Sequence, residues 1–157
     1  MSNFLSNFEK ANKNAKRLSN KILIDGKLIS PSTDSKIKVV NPSTGESIGD
    51  APQCNKVDVD HAVKSSLNAF KEWKKIPARE RGRLVEQGAR KLEERRGEIE
   101  TLLALDTGNA LRTQAKPETA ASIELTRMFA GLSGEIKGEN YPPNIINTLH
   151  FTTRDPI

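Results

Sequence analysis

The chain has 157 residues, about 35% of them hydrophobic and 29% charged, with a mean hydropathy of −0.59. That is enough for one ordinary domain and excludes a membrane span, which needs about 18 consecutive apolar residues. The net charge of +5 is mostly local: Lys10, Lys13, Lys16 and Arg17 oppose the single acid Glu9 in residues 1–20, which leaves +2 for the rest. No basic stripe interleaved with aromatics runs along the chain, so neither a nucleic acid nor a membrane is expected as a partner.

Residues 1–20 read as a loosely held, flexible basic tail, although Phe4, Phe8, Ala11, Ala15 and Leu18 fall at helical spacings. A presequence for import would be rich in Arg and free of acids, and this segment is neither. With no secretory pattern and only Cys54 available, no internal disulfide forms and the expected compartment is the cytoplasm.

The stretch KILIDGKLIS predicts a hairpin, because Asp25-Gly26 suits a two-residue turn that needs positive φ at both positions. Loop residues follow. KIKVV then reads as a strand with Ile37 and Val39 on one face, and NPSTGE as a turn.

The period then changes from two to about 3.6. Asn55 is placed to cap a helix over residues 55–74, with Asp58 completing a capping box. Val59, Ala62, Val63, Ser66, Phe70 and Trp73 form its apolar stripe. Pro77 opens a second helix, predicted as one long element over residues 78–106. Its apolar positions are Val85, Ala89, Leu92, Ile99, Leu102 and Leu103. Seven bases and six acids in residues 79–100, paired in the manner of Glu86 and Arg90, predict a solvated face. Gly108 ends it. A third helix after Pro117 carries Leu125, Met128, Phe129, Leu132 and Ile136. GENYPPN reads as a turn, and the alternation in NTLHFTTR predicts a strand over residues 147–154. The fold class expected is α+β: a hairpin and strand, three amphipathic helices and a C-terminal strand.

No constellation for catalysis is visible. His61 and His150 have no Cys or carboxylate at metal-ligand spacing, and both are expected on the surface or in packing. Cys54 precedes a helix, where a thiol pKa can fall, but it reads as an inert loop residue. The glycines of GLSGEIKGEN close a helix rather than follow a strand, so no phosphate-cradling loop is present. Catalytic, cofactor-binding and metal residues are therefore all expected to be none.

The order of segments resembles the N-terminal region of the aldehyde dehydrogenase superfamily. Ile24-Asp25-Gly26 matches its opening hairpin, and Asn41 to Glu46 matches N-P-[AS]-T-G-E. Asp58, Val59, Ala62, Val63, Ala69, Phe70 and Trp73 match its first helix. Arg79 to Leu84 and the L-D-T-G of Leu105 to Gly108 match its second, and Phe129 to Pro142 echo a later run. Gly108-Asn109-Ala110 departs from the Gly-Lys-Pro of many members, which leaves the aldehyde unassigned. The resemblance spans residues 21–157.

It implies an incomplete part of an NAD(P)-dependent enzyme that oxidises aldehydes to carboxylic acids. The nucleophilic Cys, the general-base Glu and the cofactor loop of the family lie beyond the matched segments. The chain by itself is thus expected to be inactive and to bind neither NAD nor NADP. A structural alkali cation in some members would correspond to Val39 and Glu118, and no ion is assigned to them here. The terminal strand, cut from its continuation, is expected to self-associate. The alternative reading is a free-standing helical adaptor on the same scaffold.

Overall fold

Short antiparallel hairpins and helical layers organise the chain, and the computed structural model describes residues 2–154. The side chain of Phe4 and residues 155–157, including Ile157, lie outside the described residues.

The first hairpin joins β1 (Ile22–Ile24) to β2 (Lys27–Ile29), with Ile24 opposite Lys27. Asp25 and Gly26 take φ of 54° and 70°, as the primed turn requires. Ile24 is buried beneath α2 (Lys56–Trp73). The second hairpin joins β3 (Lys36–Val40) to β4 (Ser47–Pro52), with Ile37 opposite Ala51 and Val39 opposite Gly49. The buried Asn41 organises the intervening turn, its side chain accepting the Ser43 N–H at 2.9 Å and its carbonyl the Gly45 N–H at 2.8 Å. The sequence reading has no β4. Gly49, Asp50 and Pro52 are weak strand formers, and pairing with β3 overrides that preference.

The N-terminal segment departs from the loosely held tail expected for it. It forms α1 (Ser2–Leu18), which packs on α4 (Arg96–Thr107), and Ala11 is fully buried there. Asn14 Nδ2 donates to Glu98 Oε1 at 2.8 Å. The segment's end is tied to β4: the Asn20 N–H donates to the Asp50 carbonyl at 2.8 Å, and Ser19 Oγ accepts the Asp50 N–H at 2.9 Å. Alanines and asparagines, which read as a polar terminus, are what allow so close an approach. A Cβ at Gly97 would overlap the Asn7 side chain.

Asn55 caps α2 as expected, accepting the Val57 and Asp58 amides while Asp58 accepts the Asn55 N–H. The single helix expected over residues 78–106 is instead two, α3 (Ala78–Glu94) and α4. They part at Arg95, whose φ of −108° and ψ of 11° lie in the bridge region. Gly97 weakens the helix nearby, and the two halves have different partners. α3 packs on α5 (Lys116–Leu132), whereas α4 packs on α1. One straight stripe could not serve both.

Gly108, with φ of 74°, ends α4 in the left-handed conformation. A wide helical turn over Leu111–Ala115, missed in the sequence, leads into α5 with Pro117 in its first turn. α5 stops at Leu132, a tight turn covers Ser133–Glu135, and Ile136 is extended rather than helical.

The C-terminal strand also differs from expectation. It contracts to β6 (His150–Phe151), because Asn147 takes φ of 64°. β6 pairs with β5 (Asn140–Tyr141) in a stretch that reads as a turn. Two bonds lengthen this pairing, the Thr152 N–H to the Glu139 carbonyl and the Glu139 N–H to Thr152 Oγ1, each at 2.9 Å.

Candidate functional site

The groups singled out for chemistry stay apart. Cys54 is exposed in the loop before α2, and His61 is exposed on that helix. His150 is half-buried on β6, with only the Thr148 hydroxyl 3.4 Å from its Nε2. Among the described residues, no three His, Cys, Asp or Glu side chains converge as a metal site would require.

Val39 and Glu118 are the positions matched to a structural cation. Val39 lines a groove of about 420 Å³ between α1, β4 and α4, with Leu18, Ile48, Leu102, Leu103 and Asp106. Glu118 is an exposed residue at the start of α5 and is absent from that lining. The carboxylates lining Val39's groove are Asp50 and Asp106. The sequence holds a sign of this, since Asp106 sits in the L-D-T-G run two residues before the Gly108 cap.

Two carboxylates are electrostatically distinct, and both are structural. Burial pushes the Asp58 carboxyl up, but the Ser32 and Asn55 amides, the Ser32 hydroxyl and the charge of His61 outweigh it and hold it below the ordinary value. Hydrogen bonding from Arg95 holds Glu98 below its ordinary value against the opposing effect of burial, aided by the Arg95 charge, Asn14 and Arg17. The Arg95 fork reaches Glu98 at 2.6 and 3.1 Å. Asp58 fastens the cap of α2 to the Ser32 loop, and Glu98 fastens α1 to α4.

The described residues hold no crevice of the parallel-sheet kind. All strand pairs among them are antiparallel, whereas a pyrophosphate crevice needs parallel strands with a glycine turn into a helix. The passage from β4 into α2 runs through Gln53, Cys54 and Asn55 without glycine, and the Asn55 side chain already occupies the first amides.

What the surface does offer is uncovered apolar area. On α2, Val59, Val63 and Leu67 are 53%, 52% and 59% exposed along one stripe. Leu125, Met128, Phe129 and Leu132 of α5 are also exposed, as are Ile145, Ile146 and Leu149 before β6. Exposed apolar stripes this long mark surfaces suited to be covered.

Comparison with known proteins places the chain in a family. A profile of the aldehyde dehydrogenase family matches residues 29–157, and the chain belongs to that family. The aldehyde dehydrogenase tropH of Talaromyces stipitatus is 34% identical over 138 residues, covering 87% of this chain but 27% of its own length. Human cytosolic 10-formyltetrahydrofolate dehydrogenase is 31% identical over 151 residues, covering 93% of this chain and 17% of its own length. Among solved structures, betaine aldehyde dehydrogenase from Staphylococcus aureus in complex with NAD+ superposes with a TM-score of 0.82 at 27% identity. It covers 91% of this chain and 29% of that one. An NAD-dependent benzaldehyde dehydrogenase from Corynebacterium glutamicum gives 0.77 at 28% identity, covering 83% and 28%. The chain thus spans roughly a quarter or less of the curated relatives it matches.

Proposed function

We propose that this chain supplies the N-terminal scaffold of an NAD(P)-dependent aldehyde dehydrogenase and carries none of its reacting groups. The observation that supports this most directly is the pairing of uncovered stripes on α2 and α5 with the absence of any convergent nucleophile, base or nucleotide crevice among the described residues. In an enzyme that oxidises aldehydes through a thiolate, hydride transfer and hydrolysis, the thiolate, base and cofactor loop must converge on one carbon. Here Cys54, the sole thiol, stands exposed and apart from any such partner. The isolated chain is expected to give no NAD(P)H from aldehydes and no saturable NAD binding tighter than about 1 mM by calorimetry. Turnover, or tighter NAD binding, would overturn this reading.

The same stripes separate this reading from a free-standing adaptor. A scaffold lacking its cover binds hydrophobic dye and melts broadly, whereas a self-sufficient adaptor melts sharply without dye signal. Self-association through β6 belongs to the proposal too. Its outer edge has no strand partner among the described residues, and no Lys or Pro protects residues 147–154.

A further inference from the structure

An open groove of about 680 Å³ runs between α3 and the C-terminal end of α5. Arg79, Arg83 and Arg90 line its α3 wall, and Arg127 lines it from α5. Spacings of four and seven place the three α3 arginines on one helix face, over roughly 16 Å of axis. Gln87 and Ser133 add an amide and a hydroxyl.

The occupancy of these donors is uneven. Arg79, Gln87 and the Ser133 hydroxyl have no hydrogen-bond or ion-pair partner among the described residues. Arg83 is held by Glu80 and Arg90 by Glu86 at 3.2 Å, both on an exposed helix surface where such pairs are weak and exchange readily. Arg127 is more firmly placed, contacting Glu124 at 2.7 Å and Glu93 of α3 at 3.6 Å. The carboxylates lining the groove are Glu86 and Glu135, and Glu135 already faces Lys137 at 3.5 Å. Four guanidiniums therefore line the groove with two carboxylates; Glu86 is the partner of Arg90, and Arg83 and Arg127 face Glu80, Glu93 and Glu124 outside the lining, which leaves Arg79 as the one of the four unpaired among the described residues.

Glycines shape the floor. A Cβ at Gly82 would overlap Ser133 Oγ and stand 2.5 Å from the Ala130 carbonyl, so α3 and the end of α5 can approach this closely only with glycine there. A Cβ at Gly134 would stand 3.0 Å from Arg79 Nε, so the Arg79 side chain lies across that glycine. The freest guanidinium is in this way laid along the groove while its nitrogens stay uncommitted.

We propose that this groove binds a small polyphosphate anion. Guanidinium forks match phosphate oxygens two at a time, and a row of them suits a linear chain of phosphates better than a single one. Arg79 provides the uncommitted fork, Arg83 and Arg90 are released from their weak pairs, and Arg127 fixes one end. Gln87 and Ser133 donate from the wall and floor. This binding is independent of the dehydrogenase reading.

Calorimetric titration with inorganic triphosphate at low ionic strength tests it. One saturable site is expected, with sulfate binding far more weakly and added salt lowering the affinity. Arg79→Gln is expected to weaken binding about tenfold, the loss of one charge-assisted fork. It should leave the melting curve unchanged, since Arg79 has no partner within the chain. Ser133→Ala, read in parallel, should weaken binding less. Lys13→Gln on the basic α1 should have no effect. Absence of saturable binding, or equal weakening by Lys13→Gln and Arg79→Gln, would overturn the proposal, the latter by showing diffuse attraction to net charge.

Discussion

Ile123 and Ile146 are the same residue type in neighbouring regions, yet Ile123 is 1% exposed and Ile146 is 88% exposed. Ile123 sits on α5, in the layer that packs on α3, where Ala89 and Ala130 are also buried. There, small residues let two helices approach, and one large side chain fills the space between them. Ile146 precedes β6, in a hairpin with two residues per strand. The first region is closed by its own residues, whereas the second presents apolar area that nothing in the described chain covers. Stability resides in the first and the capacity to associate in the second.

Paired truncations break this comparison most directly. Ile123→Ala should cost about 2–5 kcal/mol, through lost transfer energy and the cavity left behind. Ile146→Ala should stay within about 0.5 kcal/mol. Urea midpoints at unchanged slope measure both, and equal effects would mean that the hairpin is packed as tightly as the helical seam.

A smaller effect is expected at the α1–α4 contact. Glu98→Gln keeps the shape but removes the charge that Arg95 and Asn14 engage. It should cost about 1 kcal/mol, since Arg95 is half exposed and solvent screens part of the pair. Because Glu98 titrates below its ordinary value in the folded chain, its contribution is fully present above the ordinary glutamate value of 4.5. It is lost as the pH falls through the lower folded value. The stability difference between parent and Glu98→Gln should therefore narrow on acidification below pH 4.5. A difference that does not change with pH would remove Glu98 from the account.

The smallest effect on stability, though not on size, is expected at the hairpin. Leu149→Lys with Phe151→Lys should change unfolding free energy by less than about 0.5 kcal/mol, since both side chains are exposed. Light scattering should show that the parent self-associates and the double variant does so less. A monomeric parent, or unchanged association, would show that β6 is not an adhesive edge.

Much of this was legible in the sequence because it depends on local chemistry. Asp25-Gly26 specifies its own turn, Asn55 and Asp58 specify their own cap, and Gly108 its own helix end. The misreadings have one cause, which is that distant partners decide them. Residues 78–106 carry a continuous helical pattern, and only the separate demands of α5 and α1 show why Arg95 must leave it. Gly49, Asp50 and Pro52 become strand because β3 lies beside them. The arginine groove was equally hidden: the charges of residues 79–100 read as a solvated face, from which the buried Glu98 and Glu100 depart, and α5 had to be in place before Arg127, Ser133 and Gly134 met the arginines of α3.

The contact between Asn14 and Glu98 has a temporal consequence. The two residues are 84 positions apart, so α1 is made well before the helix on which it packs. At ordinary rates of about 5–20 residues per second, that interval is roughly 4–17 s. Over that interval only β4, to which the end of the segment is tied, is available to the basic, amphipathic α1, and the face that meets α4 stays uncovered. The order of manufacture thus opposes the order of assembly in this chain.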